Sequence, residues 1–263
     1  MINFFLKIFY YIRKFQILKR VSNSFLRRTL FLIKKDKFSY NYKNCKFYLN
    51  IRDSIDREIF MNGYYEETQI NILSKNIEKY SIDHFVDVGS NIGIYSILMA
   101  NKFSNLVINS FEPHPDAYKR LNKNIEINNL KNKIYTYNLA LSNKNGSSYL
   151  ISKQRFNISQ SGGAKISDIG KTKIKNKIGD DILKINNKSI AIKIDTEGHE
   201  FEVLQGIQKL LNNNKIFLQI EIFPENTQRV LSFLEKLNFK LLKKDQFTHQ
   251  ENIFDYFFEK SIY

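Results

Sequence analysis

Phe85-Val86-Asp87-Val88-Gly89-Ser90-Asn91-Ile92-Gly93-Ile94-Tyr95-Ser96 is the stretch on which the fold turns. FVDV is a short apolar run that ends in a glycine-rich turn, and IGIYSILMANKF continues beyond it with the character of a helix. A strand that hands over to a helix through such a turn opens a parallel α/β unit. Here the strand ends in an acid, and the turn is spaced D-x-G-x-x-x-G.

Outward from this point the alternation continues. LVINSFE (106–112) reads as a second strand, DAYKRLNKNIEINN as a helix, and IYTYNLAL (134–141) as a third strand. Residues 142–189 are less regular, with turns at Asn145-Gly146 and Gly162-Gly163. A connection this long forms a lid or acceptor surface, or else a simple hairpin decoration. SIAIKID (189–195) is a fourth strand followed by the helix EFEVLQGIQKLLNN, and KIFLQIEIF (215–223) a fifth followed by ENTQRVLSFLEKLN. FKLLKK and IFDYFFE then suit a terminal strand pair. The fold class expected is α/β: a Rossmann-like, mostly parallel sheet with helices on both faces. Ligands of such sheets bind at the carboxyl ends of the strands, where Asp87, Glu112, Asp195 and Glu221 all fall.

Charge divides the chain. Twelve of the 41 Lys and Arg lie in residues 1–46 against one acid, Asp36, so the net charge of +15 belongs mostly to an N-terminal arm. That distribution argues against a nucleic-acid channel through the body. Residues 1–47 are expected to form a basic, amphipathic, helical arm, with Phe5, Ile8, Ile12 and Phe15 at helical spacing among basic residues. Residues 1–35 suit peripheral contact with an anionic membrane surface, or docking on the domain or on a second copy as a homodimer. No uncharged run approaches the roughly 18–20 residues of a membrane span. The domain proper is expected over 48–263, with a helical lead-in over 48–82 turning at Asn62-Gly63. A single cysteine, Cys45, excludes an internal disulfide and fits a reducing, cytoplasmic setting, with or without attachment at the inner face of the membrane.

The G-x-G-x-x-G turn of nicotinamide-binding folds rests a pyrophosphate against helix N–H groups. A carboxylate in the turn repels pyrophosphate and suits a cationic amino-acid tail. That is the sign of S-adenosylmethionine, which carries a sulfonium and an ammonium. Glu112 closes the next strand 19 residues beyond Gly93, where an acid takes ribose hydroxyls.

FVDVGSNIGIYS, SFEPHPDAYKRLNKNIEINN, IKIDTEGHEFEVLQG and LQIEIF, in that order, resemble FkbM-type S-adenosylmethionine-dependent methyltransferases over about residues 60–225. The block Lys193-Ile194-Asp195-Thr196-Glu197-Gly198-His199-Glu200 is its most specific part. The resemblance takes in the lead-in Gly63-Tyr64-Tyr65-Glu66. It implies a seven-stranded sheet and methyl transfer, typically to a hydroxyl of a sugar or polyketide. Expected cofactor contacts are Glu66, Asp87, Gly89, Asn91, Gly93, Glu112 and Pro113; the arm lies outside the resemblance.

The candidates for deprotonating an acceptor hydroxyl are Asp195, Glu197, His199 and Glu221. Paired carboxylates at Asp195 and Glu197 suit base work, or Mg²⁺, or capping of the following helix, and no dedicated metal site is expected. His199 has the right ordinary pKa for a base. His114 is expected over the adenosine edge or facing water. The first reading is an O-methyltransferase acting on a sugar, glycan or other hydroxyl-bearing small molecule of surface-polysaccharide or glycosylated-metabolite synthesis. The alternatives are methylation of nucleic acid or another small molecule, with the arm as an electrostatic or membrane anchor, and a non-enzymatic membrane protein. Against nucleic acid, no Asn/Asp-Pro-Pro-Tyr/Phe stretch is present to stack an extruded base.

Overall fold

The computed structural model describes residues 36–151, 162–246 and 253–261. The expected amphipathic helix of the arm, with its membrane and dimer roles, lies outside the described residues. Among the described residues no helix is long and apolar enough to cross a membrane.

The described chain opens on a hairpin, β1 (Lys37–Tyr42) and β2 (Cys45–Asn50), rather than on the end of a helical arm. Lys43 and Asn44 form its two-residue turn with φ of 47° and 64°, the doubly left-handed geometry that matches strand twist. Cys45, Phe47 and Leu49 are buried while Lys46 faces water, a period-2 pattern that the basic charge of the segment hides. The expected boundary at 47/48 therefore falls inside β2, and the lead-in of 48–82 begins as strand. Its remainder is helical as expected: α1 (Ser54–Asn62) ends at Gly63, φ 74°, and α2 (Glu67–Lys79) follows.

Next come β3 (His84–Val88), α3 (Ile94–Lys102), β4 (Val107–Phe111), α4 (Pro115–Ile127) and β5 (Ile134–Tyr137). A second group follows: β6 (Ala140–Ser142), β7 (Gly146–Ile151), β8 (Lys165–Ser167), β9 (Thr172–Ile178) and the short α5 (Gly179–Ile182). The chain then runs through β10 (Ser189–Ile194), α6 (Glu200–Gly206), α7 (Gln208–Asn212) and β11 (Lys215–Ile222). It closes with α8 (Thr227–Lys236), β12 (Lys240–Gln246) and β13 (Phe254–Lys260).

Seven strands make one sheet in the order β12-β13-β11-β10-β3-β4-β5, with β13 antiparallel to its neighbours and the others parallel. Because β3 leads to β4 and β5 on one side while β10 and β11 lie on the other, the strand order reverses between β3 and β10. A crevice is expected outside the carboxyl ends at such a point. Strand alternation divides the core in two. Phe85, Ile108, Ala191, Phe217 and Phe257 face the hairpin and α2–α4; Val86, Ile190, Ile192, Leu218 and Phe258 face α6–α8.

Two elements differ from expectation. The strand expected over 134–141 divides at Asn138-Leu139, β5 joining the main sheet and β6 a second sheet of order β6-β9-β7-β8. The helix expected over 200–213 breaks at Ile207. Beside that break Gly206 packs on β6 so closely that a Cβ would come 2.0 Å from the Ser142 carbonyl oxygen. The irregular 142–189 stretch is thus largely a small sheet.

Side chains fasten the hairpin to the ligand-bearing turn. Asn124, wholly buried, accepts from the Tyr48 N–H at 2.7 Å and donates to the Ile92 carbonyl at 2.9 Å. Arg120 of α4 pairs with Asp53 at 2.9 Å and with Asp56, both buried at the start of α1. Burial pushes the Asp56 carboxyl up to about 7 although Arg120 pulls the other way. Phe47→Ala should lower the unfolding free energy by about 3–5 kcal/mol, the usual effect of emptying a buried phenyl site, as measured by urea denaturation.

Candidate active site

Along the face toward α2 and α3, each central strand changes from apolar to polar as it nears its carboxyl end. Phe85 gives way to Asp87, Ile108 to Ser110, Ala191 to Lys193 and Asp195, and Phe217 to Gln219 and Glu221. Strand register sets Lys193 beside Asp87 on one side and Gln219 on the other, with Asp255 beside Glu221. The opposite face stays apolar at Val86, Val88, Ile192, Ile194, Leu218 and Ile220, with Asn109 of β4 as a buried polar exception that accepts from the Tyr137 hydroxyl. One face of one sheet edge therefore carries a polar floor, and above it lies a cleft of about 450 Å³. That volume lies in the range of small-molecule sites.

The glycines of the turn have separable jobs. Gly89, φ 83°, lies so close to β10 that a Cβ would sit 1.9 Å from the Asp195 carbonyl oxygen. Gly93, φ 85°, meets Leu121 of α4, where a Cβ would sit 2.4 Å from its Cδ1. Both serve protein packing, and Gly93, unlike Gly89, does not line the cleft. Asn91, φ 48°, adopts the left-handed geometry that Asn tolerates, and its N–H donates to Glu112 at 2.8 Å. The other oxygen of Glu112 accepts from the His114 N–H at 2.7 Å. A carboxylate has about four acceptor positions, so two remain for a ligand. Burial pushes Glu112 up to about 7. Pro113 and His114 line the same wall. His114 Nδ1 accepts from the Asp116 N–H at 3.2 Å, and burial lowers its pKa.

Asp87 is buried, with Ser96 donating to one oxygen while the other has no hydrogen-bond partner among the described residues. Burial raises its pKa, opposed by the charge of Lys193. An orphaned, shielded carboxylate oxygen at a ligand cleft fits an ammonium donor. Glu66, the left-handed residue before α2 (φ 40°), accepts from the Tyr95 hydroxyl at 2.6 Å and also lines the cleft. Its pKa too is raised by burial and lowered by Lys193. Asp87, Glu112 and Glu66 thus present acceptors suited to a cationic, hydroxyl-bearing ligand.

Also lining the cleft are Asp195, Glu197 and Glu221, whose carboxylate oxygens lie within 4.8 Å of one another. A divalent cation takes oxygen ligands at such spacing, and Lys193 already supplies a cation at one corner, 2.8 Å from Asp195 Oδ2. Burial raises Glu221 well above the usual carboxylate range, reinforced by Asp195, Asp255, Glu197 and Glu66. His199 stands apart. It precedes α6, its Nε2 lies 3.0 Å from the Ser142 hydroxyl and its Nδ1 3.7 Å from Glu202, outside the cleft lining. Burial lowers its pKa. The turn at Gly198, φ 107°, carries the chain away from the crevice, so His199 belongs to the contact between α6 and β6.

Sequence reasoning missed Lys193, Tyr95 and Phe223. The one available signal was a lysine within the apolar run SIAIKID, a place where a charge needs a partner. Tyr95 and Phe223 resemble ordinary core aromatics and gave none. The roof comes from the second sheet: Gly162 packs against Ile55, and Lys165 Nζ stands 4.4 Å from the Phe223 ring centre and 3.9 Å from Glu225.

A sheet order reversing at a crevice, with acids at the ends of β3 and β4 suited to a cationic nucleoside cofactor, defines an S-adenosylmethionine-dependent methyltransferase. The methyltransferase FkbM domain model matches residues 87–241, and the chain belongs to that family. The hexuronic acid methyltransferase AglP of Haloferax volcanii is 30% identical over 172 residues, which cover 64% of this chain and 68% of that protein. Solved structures show a more distant likeness. Precorrin-6y C5,15-methyltransferase from Geobacter metallireducens has 10% identity and a TM-score of 0.46, covering 75% of this chain and 89% of its own. The M. jannaschii TYW2 complex with AdoMet has 15% identity and a TM-score of 0.43, covering 86% and 87%. The family match begins at Asp87, so Glu66 and the hairpin lie outside it.

Asp87→Ala and Glu112→Ala should each weaken binding of S-adenosylhomocysteine by about 1.5–3 kcal/mol, the usual contribution of a hydrogen bond to a charged group. Isothermal calorimetry measures this; unchanged affinity in both variants would remove the assignment.

Proposed function

We propose that this enzyme methylates a hydroxyl oxygen of a sugar or glycan and that Glu221 accepts the hydroxyl proton. When bound, S-adenosylmethionine supplies a methyl group already activated on sulfur. The protein's part is then to hold the acceptor oxygen in line and to take its proton. A neutral sugar hydroxyl is a poor nucleophile near pH 7, and a positioned base contributes about 10²–10⁴-fold.

The observation that carries the assignment is the state of Glu221. Its side chain lines the cleft, no hydrogen-bond donor reaches it among the described residues, and burial, reinforced by neighbouring acids, raises its pKa. A carboxylate with a raised pKa is a stronger base than an ordinary one. Asp195 is instead engaged by Lys193 at 2.8 Å. Glu197 adopts φ 55°, with Oε1 3.8 Å from the place a Cβ on Gly163 would take, which sets it against the roof and near an incoming acceptor. A sugar is favoured as acceptor because the AglP relative is named for hexuronic acid.

Methyl transfer from tritiated cofactor to a panel of hexuronides and neutral hexosides tests the reading. Glu221→Gln should lower turnover by on the order of 10²-fold or more, with affinity for S-adenosylhomocysteine nearly unchanged. His199→Gln should keep wild-type turnover. Because the base must be unprotonated, wild-type activity should be lost as pH falls through the raised Glu221 pKa. That acid limb should lie above the ordinary glutamate value of about 4.3 and disappear in the Gln variant. Full turnover by Glu221→Gln on a methylated sugar would overturn the base assignment, and transfer to none of the sugars would overturn the acceptor class.

A further inference from the structure

Lys193 is a lysine inside a sheet, 5% exposed, on the face that carries the polar floor. Its Nζ donates to Asp195 Oδ2 at 2.8 Å and stands 4.6 Å from the centre of the Tyr95 ring. Glu66 and Asp87 also lie in its field. The placement follows from register, which sets Lys193 directly across from Asp87, with Asp195 two residues on along the same face. Burial alone would drive the ammonium toward its neutral form, yet Asp195, Glu66 and Asp87 together raise its pKa and keep it charged.

A single buried cation therefore stands among three carboxylates, two of which are placed to meet the cofactor. Without it, Glu66 and Asp87 would share a poorly solvated site with Asp195, and buried like charges relieve themselves by taking up protons. A protonated Asp87 has lost the charge that attracts an ammonium. We propose that Lys193 is a positioning residue for the methyl donor: its buried ammonium holds Glu66, Asp87 and Asp195 charged and in place before the cofactor arrives. It does so through those carboxylates.

Other groups face the same acids. Tyr65 and Tyr95 face Glu66, Ser96 donates to Asp87, and Glu112, Glu221 and Asp255 add negative charge around the floor. Among them Lys193 is the cation that opposes proton uptake by both Glu66 and Asp87. The sign follows. Lowering pH protonates the acids and weakens cofactor binding; removing Lys193 raises their pKa values, so the loss of binding moves to higher pH.

The experiment is calorimetric titration of the full chain with S-adenosylhomocysteine between pH 5 and pH 9, in wild type, Lys193→Met and Lys193→Arg. In Lys193→Met the midpoint of the pH-dependent loss should rise by about 1–3 units, the shift associated with a close opposite charge. Lys193→Arg, which keeps the charge, should stay near the wild-type midpoint. A lesion that merely loosens the fold would lower affinity at every pH and leave the midpoint in place, and that result overturns the proposal. If Lys193→Met does not fold, Lys193→Arg decides: a midpoint near wild type supports the proposal, and one displaced upward overturns it. The inference rests on Asp87 as the partner of the donor's ammonium, which Asp87→Ala tests separately at fixed pH.

Discussion

A parallel sheet covered on both faces has to bury nearly everything it carries, and charged side chains on such strands are costly unless they are paired or reach a ligand. This sheet meets the constraint by confining its charges to one face and to the last residues of its central strands. Phe85, Ile108, Ala191 and Phe217 pack against α2–α4 and the hairpin, and polar groups begin one step further along the same rows. Because strand register aligns those steps, Asp87, Lys193 and Gln219 become neighbours across three strands without any loop having to deliver them. The site is thus a property of the sheet edge, and the helices before and after it need only keep the strands aligned.

That arrangement explains what could be read from the chain alone. Asp87, Glu112, Asp195 and Glu221 are legible because each lies at or just before the end of an apolar run, and an acid so placed can be set on the rim of a parallel sheet from the sequence alone. The five central strands and their order of appearance are legible for the same reason. The hairpin at 37–50 was hidden because its water-facing positions carry the same Lys and Asn excess as the arm before it, so charge masked a period-2 pattern. His199 was a candidate base for its ordinary pKa, and what the sequence did not mark is the turn at Gly198 after which its ring meets Ser142. The partition of 134–141 between two sheets was illegible because both halves are equally apolar and nothing local marks the change of partner.

Electrostatics give the crevice its character. Asp87, Glu112 and Glu66 line the crevice together with Asp195, Glu197 and Glu221. Lys193 lies at the floor beside Asp195. Such a cleft favours a cationic ligand over an anionic one from the first encounter, in keeping with a sulfonium-bearing donor. The +15 overall charge plays little part here, since the excess of Lys and Arg belongs to residues 1–46.

The close approach of Gly89 to the Asp195 carbonyl leaves no slack between the two loops that flank the crevice. Gly89 follows β3 and Asp195 follows β10, so this contact sets the spacing of the two strand ends that carry Asp87 and Asp195. A side chain at position 89 would therefore have to part β3 from β10 at their carboxyl ends, which makes this glycine a requirement of the sheet edge itself.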